Sequence, residues 1–577
     1  MRTHDAGGHS LLNSSSVERR LTTRRDASVN FPGGNILPLP LLIVMATAFL
    51  VILPFFFLGN PSGHDFEFHV NSWMEVLGQW RQGIIYPRWA ALAQHGYGEA
   101  RFIFYPPASW TIGAALGALL PWKIVPGAYV WLALTLSGCS MFLLAWRWLD
   151  RRDAIFAAAL YAANPYYIVI VYWRSAFAEL LAGVLLPLLL LYALHAEEDG
   201  AEAVIPLAMI VAAAWLTNIP AAVMVNYSLA LLIVVLAILK RSPRILLDGA
   251  LAVLLGAALA AFFLLPAAYE RRWVNIAEVL SPGVRPQDNF LFVKINDVDH
   301  NRFNLLVSLV ASAEMIVLAM TAFFSRVWRR RQPQAWYTLL AWALLGGLLN
   351  FSFTSFLWER LPELRYVQLP WRWLLCLNVA FVLFVTMASR RWLVRTLICI
   401  AMFGVLAFVW YRVQPPWWET AEDFGEMLEQ QRSGAGYEGT DEYVPVGADP
   451  YEVNQDAPRV AMENVVPGQV QRLQIQRWDA ESKVFTAEVD RPGRLVLRLF
   501  NYPAWRVEVN SHVVSTFTRD VTGQMLIPVQ AGENGVQITF TRTWDRTLGG
   551  VISGATAFSL AGFLMLRRRR RASGDFV

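Results

Sequence analysis

Seven residues, Gly63-His64-Asp65-Phe66-Glu67-Phe68-His69, place two carboxylates and two imidazoles directly after an apolar run long enough to cross a membrane. Ionisable groups beside hydrocarbon are expensive and mark functional sites by default. If the stretch is helical, positions 65 and 69 share a face, so Asp65 and His69 can orient one another. Asp65, Glu67 and His69 also form an oxygen/nitrogen ligand set for a divalent metal ion. Without a metal, His69 becomes a hydrogen-bond partner of the carboxylate. No other cofactor is implied.

Further polar residues are embedded in apolar context. Arg174 and Glu179 stand five apart at the start of one apolar run, Arg372 follows Pro370-Trp371, and Asn218 lies in the turn Thr217-Asn218-Ile219-Pro220. A guanidinium stays charged and offers a fork of donors, which suits a phosphate. The ordinary alternative is snorkelling to lipid headgroups, and it fits Arg271 and Arg272 better. Trp73, Trp80, Trp89, Phe104 and Trp110 read as an interfacial aromatic belt, with sugar stacking as the rival.

The elements that must position these residues are membrane helices. Of 577 residues, 56% are hydrophobic and only 16% charged, with 24 Trp. Apolar runs lie near 36–58, 125–146, 154–171, 178–194, 204–217, 219–239, 246–268, 304–325, 336–350, 374–388, 392–411 and 547–566, so about twelve transmembrane helices are expected. Cys139, Cys376 and Cys399 all fall inside such runs and offer neither a disulfide scaffold nor a metal site. Basic clusters at Arg19/Arg20/Arg24/Arg25, Arg147/Arg151/Arg152, Lys240/Arg241/Arg244, Arg326/Arg329–Arg331, Arg390/Arg391/Arg395 and Arg567–Arg571 occupy the tails and alternate loops. That alternation places both termini in the cytoplasm. Pro107 to Leu120, too short to span and bounded by prolines, is expected to be interfacial or re-entrant; as a span it would move the later clusters outside.

Residues 1–35, polar and rich in Ser and Arg, read as a disordered cytoplasmic tail. The membrane domain then covers 36–411, with a large outward loop at 59–124. A helix around Asn71 to Gln94 in that loop has apolar residues at helical spacing, as an interfacial amphipathic helix would. Residues 412–545 instead alternate with period two, as in Val484–Val489, Leu495–Leu499, Trp505–Val509 and Val536–Phe540, with turn signals between them. A C-terminal extracytoplasmic β-sandwich that folds independently of the membrane part is expected, with Tyr502 and Trp505 in its core. A last helix (546–566) and a basic cytoplasmic tail (567–577) follow. Asp65, Glu179, Asn218, Arg174 and Arg372 then converge on one outer rim.

The motifs Gly63-His64-Asp65 with His69, Tyr86-Pro87-Arg88-Trp89, Tyr105-Pro106-Pro107, Tyr172-Trp173-Arg174-Ser175-Ala176-Phe177-Ala178-Glu179, Leu216–Pro220, Pro370-Trp371-Arg372 and Gly439–Pro445 occur in order between about residues 36 and 566. Through them the chain resembles the GT-C superfamily of membrane glycosyltransferases, most closely a bacterial membrane family labelled 6-pyruvoyl-tetrahydropterin synthase-related. The label is not an activity, since the sequence supplies no three-histidine zinc site in a soluble fold. The resemblance implies a glycosyltransferase in the bacterial inner membrane that moves a sugar from a polyprenyl-phosphate-linked donor to an extracytoplasmic glycan, lipid or protein acceptor, with no nucleic-acid partner. Asp65 would be the catalytic base, Arg174 and Arg372 would hold the donor phosphate, and His64, Glu67, His69, Glu179 and Asn218 would support them. Two rivals are a transporter or flippase of lipid-linked glycan, which predicts charges near the middles of spans, and a non-catalytic envelope assembly protein.

Overall fold

The computed structural model describes residues 38–412, 418–463 and 471–572. The expected tail at 1–35 and the last five residues lie outside them. Among the described residues nine helices are long and apolar enough to cross a membrane, or up to eleven if two bent pairs each count as one span. The pairs are Arg244–Leu259 with Ala261–Trp273, bent by 75°, and Pro333–Leu348 with Ser352–Arg360, bent by 96°. All twelve apolar runs have helical counterparts, but Ala203–Thr217 is shorter than a span. Hydropathy does not see a bend, which explains why 246–268 reads as continuous; the run at 336–350 stops short of its bend.

Two parts of the first loop depart from expectation. The helix runs from Phe66 to Arg81, not from Asn71 to Gln94, and chain reversals at Gly83, Gly96 and Gly98, all at positive φ, follow it. Nor is it interfacial. Val70, Trp73 and Val76 are fully buried, and so are the polar Ser72, Glu75 and Gln79. The apolar stripe that could face lipid is covered by protein, chiefly the Pro107–Leu119 helix, where a Cβ at Gly113 would sit 2.1 Å from the Trp73 ring. That covering helix has 13 residues, about 20 Å of rise, and is too short to cross. Trp89, Phe104 and Trp110 are buried as well, so the aromatic-belt reading is wrong for these rings. They are core.

Beyond the membrane helices lies a helix at Ala421–Ser433, which period-two reading of 412–545 missed. A two-residue ladder, β1 (Asn60–Pro61) on β2 (Trp418–Glu419), ties the start of that region to the first loop. The sandwich comprises β3 (Val460–Met462), β4 (Gln471–Trp478), β5 (Ser482–Val489), β6 (Gly493–Phe500), β7 (Trp505–Val509), β8 (His512–Val514), β9 (Phe517–Thr518), β10 (Gln524–Val529) and β11 (Gly532–Phe540). These form sheets β3-β6-β10-β9 and β4-β5-β11-β7-β8, antiparallel throughout. Inward residues such as Phe485, Leu497, Ile527 and Ile538 make its core, which Tyr502 and Trp505 join as expected.

That core is not self-contained. It continues into Trp89, Tyr97, Ile103 and Phe104 of the first loop and into Val274 and Tyr443. Tyr502 Oη donates to Glu270 Oε2 at 2.6 Å, and Arg546, at the foot of the last helix, pairs with the same carboxylate at 2.7 Å. The sandwich is therefore welded to the loops over the site, contrary to the expected independence.

Candidate functional site

Two chain segments are zipped together to place Asp65. The amide of Asp65 donates to the carbonyl of Arg174 at 2.8 Å, and that of His64 to the carbonyl of Trp173 at 3.3 Å. The Gly63 amide donates to Ser175 Oγ at 3.1 Å, and that hydroxyl donates on to the Pro61 carbonyl at 2.8 Å. The approach needs glycine, because a Cβ on Gly63 would lie 2.4 Å from the Arg174 carbonyl carbon. On the other segment, a π-helical turn over Ile170–Arg174 ends in Ser175 at φ +49°. Such turns are rare and favour functional positions.

Asp65 precedes the Phe66–Arg81 helix but makes no side-chain cap bond. Its carboxylate accepts from Arg174 Nη2 at 3.3 Å, and its side chain remains 39% exposed. Behind it the charged side chains are buried and paired. Arg174 also donates to Glu179 Oε2, and its guanidinium lies 4.9 Å from the Trp371 ring. Glu179 accepts from Tyr166 Oη at 2.6 Å and from Arg372 Nε at 3.1 Å. Arg372 Nη1 in turn donates to the Val367 carbonyl (2.8 Å) and to Gln368 Oε1 (3.0 Å). The ionised forms make an alternating set, Asp65, Arg174, Glu179, Arg372. Removing one member would leave an uncompensated buried charge.

These side chains border a cavity of ≈ 770 Å³. Asp65, Arg174, Glu179 and Arg372 line it together with His64, His69 and Asn218. The structure thus brings together seven of the eight residues expected at the site. Glu67 is the exception: it is exposed and does not line the cavity. His69 is buried against the rings of Phe68, Trp73, Tyr105 and Phe177. Burial pulls its pKa down to about 4, so the imidazole is neutral. Asp65, Glu67 and His69 therefore do not form a ligand set, and among the described residues no group of three or more His, Cys, Asp or Glu is arranged to hold a metal ion. Asn218 caps the Ile219–Lys240 helix, its Oδ1 accepting from the Ala221 amide at 3.0 Å. Its first job is structural. Arg271 lines the cavity while Arg272 stacks on Tyr269.

Sequence reasoning passed over several lining residues, among them Tyr105, His300, Gln368, Trp371 and Glu442. Tyr105, Trp371 and Glu442 sit inside motifs that were visible but assigned no role. His300 and Gln368 carry no sequence signal. Glu442 lies in the turn Asp441–Tyr443, anchored by Thr440, whose amide donates to Glu99 Oε2 at 2.9 Å. Burial, with Glu99 and Asp441 near by, raises its pKa to about 7. A second carboxylate, which holds its proton more tightly than a free glutamate does, thus faces the same space. The remaining walls are largely apolar, with Phe104, Trp215, Val223, Phe263 and Leu264.

The sequence profile of the 6-pyruvoyl-tetrahydropterin synthase related domain, described as a membrane protein, matches residues 102–415. No curated protein matches the chain in sequence. Among solved structures, the chain is similar to ArnT from Cupriavidus metallidurans bound to undecaprenyl phosphate, at 13% identity and a TM-score of 0.34, over 69% of this chain and 62% of that one. It is also similar to the Archaeoglobus fulgidus oligosaccharyltransferase in complex with zinc and sulfate, at 14% identity and a TM-score of 0.28, over 69% of this chain and 53% of that one. The chain spans under two thirds of the length of either. Superpositions this loose leave the chemistry to be read from the site's own residues.

Proposed function

The chain belongs to the 6-pyruvoyl-tetrahydropterin synthase-related family of membrane proteins, and from its site we propose that it is a membrane glycosyltransferase using a sugar carried on polyprenyl phosphate. The observation that carries this reading is the half-exposed Asp65 carboxylate at the edge of a cavity with a cationic, hydrogen-bonded rear and apolar walls. An isoprenoid suits the apolar walls, a phosphate the guanidinium side, and an acceptor hydroxyl the exposed carboxylate.

In the proposed reaction Asp65 takes the acceptor O–H proton while that oxygen bonds to the anomeric carbon. The bond from that carbon to the phosphate oxygen breaks, and polyprenyl phosphate leaves with the electron pair. Positioned base catalysis of this kind contributes typically ~10²–10⁴-fold. Arg372 and Arg174 stabilise the charge gathering on the phosphate. Glu179 neither donates nor accepts a transferred proton in this scheme; it holds both guanidinium groups at fixed angles.

Four spans support the orientation proposed for this reaction. Arg151–Arg174, Ile219–Lys240, Val298–Phe324 and Pro370–Ala388 each carry a cavity residue at or beside one end: Arg174, Asn218, His300 and Arg372. At or beyond the opposite ends stand Arg151/Arg152, Lys240/Arg241, Arg326/Arg329 and Arg390/Arg391. Basic ends face the cytoplasm, so the cavity, the acceptor and the sandwich belong on the other side, in the bacterial cytoplasmic membrane with both termini inside.

The flippase reading has one observation in its favour. Glu314, buried beside Asn378, sits inside the Val298–Phe324 span. One experiment separates the two. In a deletion strain, stably expressed Asp65→Asn fails to restore envelope glycan under the transferase reading, and purified variant still binds polyprenyl phosphate. Full complementation by Asp65→Asn would overturn the base and bring the flippase forward.

A further inference from the structure

A second cavity, of ≈ 440 Å³, opens where the C-terminal half of the Phe66–Arg81 helix meets the Ala421–Ser433 helix and the sandwich. Its wall carries Arg81, Arg432, Arg459, Arg498 and Lys483 against only Glu75 and Asp479. Both acids are already engaged. Glu75 accepts from Tyr437 Oη (2.6 Å), Gln79 Nε2 (3.1 Å) and the Leu92 amide (3.2 Å), and Asp479 pairs with Arg477 at 3.6 Å. Arg498 spends its donors on the carbonyls of His95 and Ala435. Lys483 is buried, with Nζ bonded to the carbonyls of Asp479 and Ala480 at 2.9 Å each. Arg81, Arg432 and Arg459 remain, all exposed, and among the described residues no ion pair ties them up. Half-buried Trp478, with the Arg459 guanidinium 5.9 Å from its ring centre, and half-buried Trp122 add two indole rings to the same wall.

We propose that this cavity binds an anionic saccharide, with the arginines on its carboxylate or phosphate groups and the indoles against its sugar faces. Unpaired guanidinium forks select oxyanions. Aromatic rings select a ligand that is more than a simple ion. The placement argues for a saccharide over an acidic peptide. The two cavities share one rigid helix, Phe68 and His69 lining the first and Gln79 and Arg81 the second. From His69 to Arg81 the helix rises about 18 Å, within the reach of a short oligosaccharide whose end is at Asp65. The identification of this ligand as the acceptor rests on the transferase reading; the binding site does not.

The test uses the purified full chain in nanodiscs and calorimetric titration. The probes are a galacturonate hexamer, neutral maltohexaose, a glutamate hexapeptide and inorganic phosphate. The galacturonate hexamer should bind saturably at one site, about tenfold or more tighter than the other three, and weaken as salt rises. Arg81→Ser with Arg459→Ser should weaken it about tenfold or more; both side chains are exposed, and an unchanged melting temperature verifies the fold. Asp65→Asn should leave binding at the wild-type value. Absence of saturable binding, equal binding of the glutamate peptide or phosphate, or an unaffected double variant would each overturn the site. Wild-type activity of Asp65→Asn with intact hexamer binding would instead overturn the transferase reading and leave the site standing.

Discussion

Arg174 donates to Asp65 at 3.3 Å across 109 residues of chain, and the same two residues are also joined backbone to backbone, the Asp65 amide on the Arg174 carbonyl. The side-chain contact alone would be soft, because one partner is half exposed. The backbone contact makes it a fixed geometry, and Gly63 is what allows it. Gly63→Ala drives a Cβ to 2.4–2.5 Å from backbone atoms of Arg174 and Ser175, which neither segment can yield cheaply. We expect it to cost about 1–3 kcal/mol and to reduce activity in the complementation assay as severely as Asp65→Asn, while Gly78→Ala on the neighbouring helix, where a Cβ meets nothing, stays near wild type.

Glu179 separates positioning from charge. Glu179→Gln leaves Arg174 and Arg372 buried with one carboxylate fewer, a situation that typically costs 3–5 kcal/mol. The expected outcome is a lower melting temperature and weaker donor-lipid binding. Arg372→Lys should show the second effect more than the first, because a point charge keeps the Coulomb attraction but loses the fork that spans Glu179 and Gln368.

Glu67 and His69 should part company. Glu67→Gln, on an exposed side chain outside the cavity, is expected within about 0.5 kcal/mol of wild type in stability and near wild type in activity. His69→Ala empties a space enclosed by four aromatic residues and should cost about 2–4 kcal/mol. Added divalent ion should restore neither, as the two do not share a ligand set with Asp65. Rescue of either variant by a metal would reverse this.

What was legible in the sequence follows the range over which each force acts. Hydropathy finds spans because desolvation is local to a helix, and period two found β5, β7 and β11 because their alternation is strong, while β6, buried at Leu495, Val496 and Leu497 in succession, showed through its apolar run. The arginines and carboxylates were legible as misfits in apolar context. The pairing of Arg372 with Glu179 was not, since 193 residues separate them and no spacing rule connects them. The buried fate of Trp73 and Trp89 was hidden for a related reason. An amphipathic stripe shows that something apolar covers it, but not whether lipid or protein does. Glu442 was quoted within a motif and overlooked, because its environment is supplied by Glu99 and by a turn three hundred residues away from that glutamate in sequence.

The weld between sandwich and loops predicts how a fragment behaves. Residues 455–545 alone would expose the faces of Tyr502, Trp505 and Phe540 that pack on Trp89 and would lose the Glu270 partner of Tyr502. Such a fragment is expected to keep β-type circular dichroism but to melt without a sharp transition and to bind a hydrophobic dye. In the full chain, Tyr502→Phe should lower stability by about 1–3 kcal/mol, since the buried Glu270 loses a donor. A sharp, reversible melt of the isolated fragment would show that the shared core is dispensable.

Glu442 gives the pH dependence a sign. Its pKa in the folded chain is about 7, above the ordinary glutamate value of 4.5, so the folded state holds its proton more tightly than the unfolded state does. Folding therefore loses stability as pH rises from about 4.5 to about 7, and the loss is complete above that window. The magnitude is on the order of 1–3 kcal/mol. Glu442→Gln keeps the shape and removes the titration. The variant should match wild type near pH 4.5 and exceed it in stability above pH 7, with the gap opening across the window. Thermal melts of both proteins in the same nanodiscs at pH 4.5, 6 and 8 measure it. Parallel stability curves would mean that Glu442 ionises freely against the cavity, and the burial that sets its affinity would then have to be smaller than its surroundings in the Asp441–Tyr443 turn imply.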